Sequence, residues 1–224
     1  MTSHVTELDS PMTDSEYLSN FFEVGNIEEA KKKILTPENG VTTEERWQKE
    51  TIPLVNMLIN KLEISEGDTV IDYGCGIGRI SKDLLEKINC TMVGVDISKS
   101  MRALAEFYCN SETFMSCSTT ALKNLANTGF RANQAFCIWV LQHAEDPLYD
   151  LHILHDVLLD GGHFLVLNLD GRCLPTSGGW KNDNINVKLE IEKIFKVVEY
   201  FSAPKDSITD LARLTSFCGL FQKR

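Results

Sequence analysis

The stretch VIDYGCGIGRIS, residues 70–81, joins an apolar β-branched run to a helical pattern through three alternating glycines. Glycine is needed where φ is positive or where a ligand approaches the main chain closely. Gly74, Gly76 and Gly78 follow a predicted strand and precede a predicted helix, which is the local arrangement of a nucleotide site. The stretch therefore predicts an α/β sheet with a nucleotide-like ligand beside its first strand.

Outward from this stretch, strand and helix patterns alternate. Apolar strands are predicted at 69–74, 91–97, 113–118, 134–141 and 163–170, with helical patterns between them. This alternation implies a parallel sheet with helices on both faces. Two further strands, 196–203 and 215–223, are separated by a short stretch, which favours an antiparallel ending. The predicted fold class is α/β: a Rossmann-like, seven-stranded, mostly parallel sheet with helices on both faces and the last strand antiparallel.

The composition narrows the function classes. The 224 residues include 32 acidic and 22 basic side chains, a net charge of −10, which argues against non-specific binding to nucleic acid or to anionic membranes. No apolar run approaches the ~20 residues of a membrane helix, and the polar N-terminus lacks the order of a signal peptide. Seven cysteines without a C-x-x-C pair indicate reduced thiols. We expect a cytoplasmic protein with no membrane partner.

The glycine spacing separates the nucleotide-binding families. The order G-x-G-x-G, two residues after Asp72, differs from the G-x-G-x-x-G of dinucleotide-binding domains. No Lys-Ser/Thr follows, which excludes a P-loop. D-Y-G-C-G-I-G resembles the first motif of class I S-adenosylmethionine-dependent methyltransferases, and Asp96 ends the second predicted strand eighteen residues after Gly78. The resemblance extends from about residue 66 to 170 and through the last two predicted strands, and it implies S-adenosylmethionine as the cofactor.

The resemblance also assigns roles. Asp72 is expected to accept from the α-amino group of the cofactor, directly or through water, and Asp96 from both ribose hydroxyls. GIGRIS is similar to the protein N-terminal methyltransferases, in which the arginine corresponding to Arg79 pairs with the carboxylate; a guanidinium suits that planar anion. Where family members often hold the adenine with an aspartate, this chain has Ser118, so Ser118 or a backbone group is expected there. The expected cofactor contacts are Asp72, Gly74, Cys75, Gly76, Gly78, Arg79, Asp96, Ile97, Met101, Ser118, Val140 and Gln142.

Met101 is expected either to contact the adenine of the cofactor or to pack in the core.

The segment IWVLQHAEDP, residues 138–147, leaves the fourth strand at the edge where α/β sheets bind ligands. V-L-Q-H resembles a segment of many small-molecule methyltransferases and the histidine-bearing segment of the protein N-terminal enzymes. Because histidine titrates near neutral pH, His143 is the candidate general base. The alternative is that His143 caps a helix or binds a loop.

Residues 1–62 are predicted as a helical extension over the cleft, and residues 63–224 as the methyltransferase domain. Helices are expected at 15–24, at 26–35 and from 42, with a break near Thr51 because proline, here Pro53, is tolerated only in a first turn. The segment 170–184 is expected to form a substrate loop. Aromatic residues predicted to contact the acceptor are Tyr17, Phe21, Phe22, Trp47, Trp139 and Trp180.

Three functions remain open at this point. The first is methylation of a small-molecule acceptor at oxygen or nitrogen, because the covering elements are short and the charge is acidic. The second is methylation of a protein or peptide amine, and the third is a module that binds the cofactor without turnover. Nucleic acid is not expected as the acceptor. His152 and His155 are three residues apart on a helix, but no further ligand joins them, so no metal is predicted.

Overall fold

The computed structural model describes residues 15–38 and 40–224. In this part of the chain, seven strands form the main sheet and two form a separate hairpin. The strands are β1 (Thr69–Tyr73), β2 (Thr91–Val95), β3 (Phe114–Cys117), β4 (Ala132–Ile138), β5 (Leu158–Leu169), β6 (Leu174–Thr176), β7 (Gly179–Lys181), β8 (Lys196–Phe201) and β9 (Ser216–Gln222).

The helices precede, separate and follow these strands. They are α1 (Ile27–Ile34), α2 (Thr43–Leu62), α3 (Arg79–Leu85), α4 (Lys99–Cys109), α5 (Thr119–Asn127), α6 (Pro147–Val157), α7 (Val187–Ile194) and α8 (Asp210–Leu214). A 3₁₀ turn at Ser19–Phe22 replaces the first of the predicted helices.

The main sheet has the order β3-β2-β1-β4-β5-β9-β8. The first five of these strands pair in parallel, and β9 lies antiparallel between β5 and β8. The predicted fold class is therefore confirmed, including the antiparallel last strand. The connection from β8 to β9 contains α8, which the sequence does not signal, and the predicted loop at 170–184 contains the β6–β7 hairpin.

The core lies on both faces of the sheet. Successive strand residues point to opposite faces, so Val70 packs in one cluster with α2, α3 and α4, and Ile71 packs in the other with α5, α6 and α7. Both residues are fully buried. Because helices cover both faces, the central strands are apolar throughout rather than alternating, as is typical of parallel sheets.

The predicted break near Thr51 is wrong, because α2 runs from Thr43 to Leu62 with Pro53 inside it. Pro53 leaves the carbonyl of Lys49 without its helical donor, and Lys49 is exposed, so water can satisfy that carbonyl. On the opposite side, Leu54 and Leu58 are fully buried. Burial of this face outweighs the loss of one hydrogen bond, so the helix continues.

The described part of the N-terminal extension packs on one face of the sheet through α2, whose Leu54, Leu58 and Leu62 belong to the same core cluster as Val70. Asn26 caps α1, with its side chain accepting from the backbone N–H of Glu29 at 2.9 Å, as its spacing predicts. The first fourteen residues of the predicted extension lie outside the described residues, as does Asn39. Across the described chain, every helix is too short or too polar to cross a membrane.

Candidate cofactor and acceptor site

A cavity of about 480 Å³ opens at the carboxyl ends of β1, β2 and β4. Most of the predicted site residues line it: Tyr17, Phe22, Asp72, Gly74, Cys75, Gly76, Arg79, Asp96, Ile97, Met101, Ser118, Trp139, Val140 and His143. The cavity is also lined by residues of α1, part of the extension predicted to cover the cleft, and by the first turn of α6. The structure therefore brings the glycine motif and the candidate base to one cavity.

Five predicted site residues lie outside this lining in the part of the chain that the structure describes: Phe21, Trp47, Gly78, Gln142 and Trp180. Phe21 and Trp180 contact each other, with ring centres 5.0 Å apart, and Trp180 is more than half exposed. Gln142 is buried, and its backbone N–H donates to Asn168 Oδ1 at 3.1 Å. These residues support the walls of the cavity instead of lining it.

The glycine turn brings the main chain close to two apolar side chains. Gly74 has φ +83° and Gly76 has φ +55°. A Cβ on Gly74 would overlap the Val140 side chain, and one on Gly76 would lie 2.6 Å from Cδ1 of Ile34. The space over this turn is therefore available only to glycine. Gly78 instead packs against Cys109 of α4.

Asp72 is a buried carboxyl group at the end of β1. Its Oδ2 accepts a hydrogen bond from the Ser81 hydroxyl at 2.6 Å. Burial raises the pKa of Asp72 to about 7, because desolvation disfavours the charged form. A cation in the cavity would favour its ionised form.

Arg79, the first residue of α3, is a buried cation that lines the cavity. Its Nη1 has no hydrogen-bond partner in residues 15–38 and 40–224. Burial lowers its pKa to about 10, so the guanidinium is still charged at neutral pH. A buried donor left unpaired is costly, and an incoming anion would satisfy it. Together with the glycine cradle, this orphaned donor fits the carboxylate-bearing ligand that the motif predicts.

Asp96 connects the loops after β1 and β2. Its Oδ2 accepts from the N–H of Gly76 at 2.8 Å and its Oδ1 from that of Ser98 at 2.9 Å. Each carboxylate oxygen has a further lone pair for another donor. Burial raises the pKa of Asp96.

Ile97, Met101 and Ser118 continue the lining beyond Asp96. Ile97 is half exposed, whereas Met101 is buried in the core and also lines the cavity, and its contact with the adenine stays a prediction. Ser118 caps α5 by accepting from the N–H of Ala121 at 3.2 Å. Its hydroxyl donor is thus the group with capacity for a ligand.

His143 lies in the loop between β4 and α6. Its Nδ1 is 2.6 Å from the carbonyl oxygen of Cys173. A carbonyl only accepts, so the proton is on Nδ1, and Nε2 of the neutral ring carries the free lone pair. Burial lowers the pKa of His143 below its ordinary value of 6.5. The neutral, proton-accepting form therefore predominates at pH 7.

The loop before His143 begins with an unusual backbone conformation. Trp139 has φ +62°, which is rare for a bulky residue. Its N–H donates to the carbonyl of Leu167 at 2.8 Å, which holds the turn against β5. Such conformations persist only where the surroundings impose them, and they are frequent at functional sites.

The first turn of α6 adds acidic and aromatic groups to the cavity wall. Its loop and helix contribute Glu145, Asp146, Tyr149 and Asp150. Asp150 accepts from the Tyr73 hydroxyl at 2.6 Å, and burial raises its pKa to about 6. Tyr73 and Asp150 are not among the predicted site residues, because only the fold brings β1 and α6 together; the Asp146–Pro147 helix start was the available signal.

The N-terminal segment and the β6–β7 hairpin close the cavity from outside the sheet. Tyr17 forms a β-bridge with Thr176, and its hydroxyl donates to the carbonyl of His143 at 3.2 Å. The rings of Phe22 and Trp180 lie 5.9 and 5.5 Å from that of His143. The candidate base is therefore shielded from solvent by aromatic groups.

Comparison with known proteins places this geometry in a family. The family model described as "Methyltransferase domain" matches residues 44–223. No curated protein matches the chain in sequence.

Solved structures share the fold at low identity. A TehB-like S-adenosylmethionine-dependent methyltransferase from Corynebacterium glutamicum is 18% identical, with a TM-score of 0.57 over 76% of this chain and 87% of that chain. The N-methyltransferase NodS from Bradyrhizobium japonicum, in complex with S-adenosylhomocysteine, is 15% identical, with a TM-score of 0.57 over 81% and 87%. The [4+2]-cyclase SpnF is 13% identical, with a TM-score of 0.58 over 76% and 79%. On the family match and this shared fold, the chain belongs to the methyltransferase domain family, within the class I S-adenosylmethionine-dependent superfamily.

Proposed function

We propose that this protein transfers the methyl group of S-adenosylmethionine to an oxygen or nitrogen atom of a small-molecule acceptor. The observation that carries the proposal is one cavity that holds both the Arg79 guanidinium, whose Nη1 has no hydrogen-bond partner among the described residues, and a neutral imidazole, at His143. The first suits the carboxylate of the cofactor, and the second suits removal of a proton from the acceptor.

The buried charged residues indicate which end of the cavity binds the cofactor. Arg79 binds the carboxylate through a planar fork, Asp72 accepts from the α-amino group, and Asp96 accepts from the ribose hydroxyls with its remaining lone pairs. S-adenosylmethionine, the cofactor of this superfamily, supplies an electrophilic methyl group on a sulfonium. Gly74 and Gly76 line the same cavity, and without a Cβ they let Val140 and Ile34 pack closely against the main chain there.

At the acceptor end, the protein supplies position and a base. Nε2 of His143 takes the proton that the acceptor oxygen or nitrogen loses as it gains the methyl group. The Nδ1–H donated to Cys173 keeps the ring in the required tautomer. Tyr17, Phe22 and Trp139 exclude water around the reacting groups, which favours the neutral imidazole.

The covering elements favour a small acceptor over an extended polypeptide. The Tyr17–Thr176 bridge and the Phe21–Trp180 contact join the N-terminal segment to the β6–β7 hairpin, and this cover favours an acceptor smaller than an extended polypeptide. The carboxylates of Glu145 and Asp146 line the cavity on the α6 side. They favour an acceptor that carries an amine, because a cationic group there has complementary charge.

Two alternatives compete with this proposal. The first is methylation of a peptide amine. The carboxylates of Glu145 and Asp146 also suit that amine, provided that the N-terminal segment and the β6–β7 hairpin move away from the cavity. A module that binds the cofactor without methyl transfer is the other alternative, and the fold shared with the cyclase SpnF illustrates that this architecture serves more than one reaction.

The test is release of S-adenosylhomocysteine with three acceptor pools: small amines, small hydroxyl compounds, and peptides with free N-termini. Turnover with the small amines and not with the peptides supports the proposal. Turnover only with the peptides replaces it with the second function. Tight cofactor binding without product from any pool supports the non-catalytic module.

A further inference from the structure

Arg172 is a buried arginine between β5 and β6, and it contacts both ends of the loop that carries His143. Its Nη1 donates to the carbonyl of Leu141, and its Nη2 donates to the carbonyl of Ala144 at 2.5 Å. Its side chain is fully buried. These carbonyls flank Gln142 and His143, so one guanidinium holds the segment that places the candidate base.

Asp183 fixes the direction of this guanidinium. Its Oδ1 accepts from Nε of Arg172 at 3.1 Å and its Oδ2 from Nη2 at 3.1 Å, a two-point contact. Oδ1 also accepts from the N–H of Ile185 at 3.1 Å, which ties the carboxylate to its own loop. A buried cation needs such a partner, so the two residues form one structural unit.

The residue that follows Arg172 completes the link to the imidazole. The N–H of Cys173 donates to the carbonyl of Gln142 at 2.8 Å, and the carbonyl of Cys173 accepts from Nδ1 of His143. The carbonyl that selects the tautomer of His143 thus belongs to Cys173, the residue next to Arg172 in the chain. Displacing Arg172 would displace both.

We propose that Arg172, held by Asp183, is a positioning residue for methyl transfer that fixes the 141–144 loop and keeps the proton of His143 on Nδ1. The inference rests on the proposed function of His143 as the base. Arg172 does not touch the reacting atoms; it acts through the histidine.

Arg172 also affects the charge of the imidazole. The pKa of His143 depends on burial, on the contact with Cys173 and on the positive charge of Arg172. This charge lowers the pKa. The other charged or titratable groups that line the same cavity are Tyr17, Lys33, Asp72, Tyr73, Cys75, Arg79, Asp96, Glu145, Asp146, Tyr149 and Asp150. Removing the guanidinium should therefore raise the pKa of His143, whereas lysine at position 172 keeps the charge and loses the fork.

The experiment compares Arg172→Met, Arg172→Lys and Asp183→Asn with the matched control Arg213→Met. Arg213 also donates to three backbone carbonyls, those of Ala203, Pro204 and Lys205, but it lies away from the cavity. The readout is the side-chain nitrogen NMR spectrum of His143 across pH, in protein saturated with S-adenosylhomocysteine. This measurement needs no acceptor and no turnover.

We expect wild type and Arg213→Met to show one neutral tautomer with the proton on Nδ1. Arg172→Met should show mixed tautomers and a higher pKa of His143, and Arg172→Lys mixed tautomers with a smaller change in pKa. With an acceptor from the screen above, kcat should fall by about 10²-fold in both variants, as for a misplaced catalytic group, while the affinity for S-adenosylhomocysteine is unchanged.

Asp183→Asn extends the test if Arg172→Met does not fold. A wild-type tautomer and titration of His143 in Arg172→Lys and Asp183→Asn would overturn the inference. If wild type lacks turnover with every acceptor while the tautomer of His143 still depends on Arg172, the proposed function fails and the positional coupling stands.

Discussion

The guanidinium carbon of Arg79 lies 5.5 Å from the centre of the Trp47 indole ring, so the motif arginine stacks on a side chain of α2. The Trp47 ring is itself fixed by a hydrogen bond from Nε1 to the Tyr108 hydroxyl at 3.1 Å. A cation–π contact offsets part of the cost of burying a charge. Trp47, which the sequence predicts as an acceptor contact, instead supports the residue predicted to hold the cofactor carboxylate.

This relationship leads to a prediction for Arg79→Met. The variant loses charge-assisted hydrogen bonds worth about 1.5–3 kcal/mol, so its affinity for S-adenosylhomocysteine should fall about 10- to 150-fold. 5′-Methylthioadenosine, which lacks the amino-acid part, should bind equally well to wild type and variant. Calorimetry with both ligands checks this.

The control for Arg79 is Arg131→Met. Arg131 donates to the carbonyls of Ala126 and Phe130 and lies outside the cavity lining of the described residues, so its removal should leave both affinities unchanged. Equal losses for the two ligands in Arg79→Met would place the arginine away from the carboxylate.

Local signals explain why most of the fold was predictable. Each strand of the parallel sheet is a short apolar run, and the glycine motif is contiguous, so its position requires no knowledge of distant contacts. Pro53 shows the limit, because the rule that proline ends a helix is local, and burial of Leu54 and Leu58 outweighs it. Propensity gives way to packing where one helix face is fully buried.

The acceptor side was less predictable for the same reason. Tyr73 and Asp150 are 77 residues apart and meet through a 2.6 Å hydrogen bond. Arg172 reaches the carbonyl of Leu141 across 31 residues. No periodicity or spacing encodes such pairs, because the sheet brings their elements together. Arg79 and Asp96 could be proposed because the family motif gives their positions directly.

Asp72 should couple cofactor binding to proton release. Its pKa of about 7 means that it is mostly protonated at pH 6, and the α-amino cation of the cofactor favours the ionised form. Binding of S-adenosylhomocysteine at pH 6 should therefore release up to one proton, and affinity should rise as pH increases through 7. Calorimetry in buffers of different ionisation enthalpy measures the number of protons released.

Asp72→Asn should abolish this release, whereas Asp83→Asn should retain it. Asp83 is a suitable control because burial also raises its pKa, yet it lies outside the lining formed by the described residues. The same proton release in wild type and Asp72→Asn would show that another group titrates on binding.

Gly74→Ala tests the close approach of the motif to β4. Both Gly74 and Gly129 have positive φ, but a Cβ on Gly129 would meet no atom within 4 Å among the described residues. Gly129→Ala should therefore lower the free energy of unfolding by about 1–2 kcal/mol, the cost of placing alanine in the left-handed conformation. In Gly74→Ala the overlap with Val140 adds to this backbone cost. The free energy of unfolding should therefore fall by about 2–5 kcal/mol in total.

Urea unfolding measures both free energies, and a double-mutant cycle with Val140→Ala isolates the overlap. The cost of Gly74→Ala should be smaller in the Val140→Ala background than in wild type. An equal cost for Gly74→Ala and Gly129→Ala would mean that Val140 does not restrict this turn.

His143→Ala tests the chemistry directly. If Nε2 takes the proton of the acceptor, turnover should fall by about 10²–10⁴, the usual contribution of general base catalysis. Affinity for S-adenosylhomocysteine should not change, because Arg79, Asp72 and Asp96 form the cofactor end of the cavity. The control is His155→Ala, since burial also lowers the pKa of that histidine on α6, where it packs against Phe195.

The pH profile supplies the second measurement for His143. Burial lowers its pKa, so the base is lost only when the pH falls below that depressed pKa, and the acidic limb of wild-type kcat should lie below pH 6.5. The residual activity of His143→Ala should lack this limb, and His155→Ala should retain it. An acceptor that is already neutral and nucleophilic needs no base, so the deciding quantity is kcat at saturating acceptor. If kcat of His143→Ala at saturating acceptor equals that of wild type, His143 positions the acceptor without taking its proton.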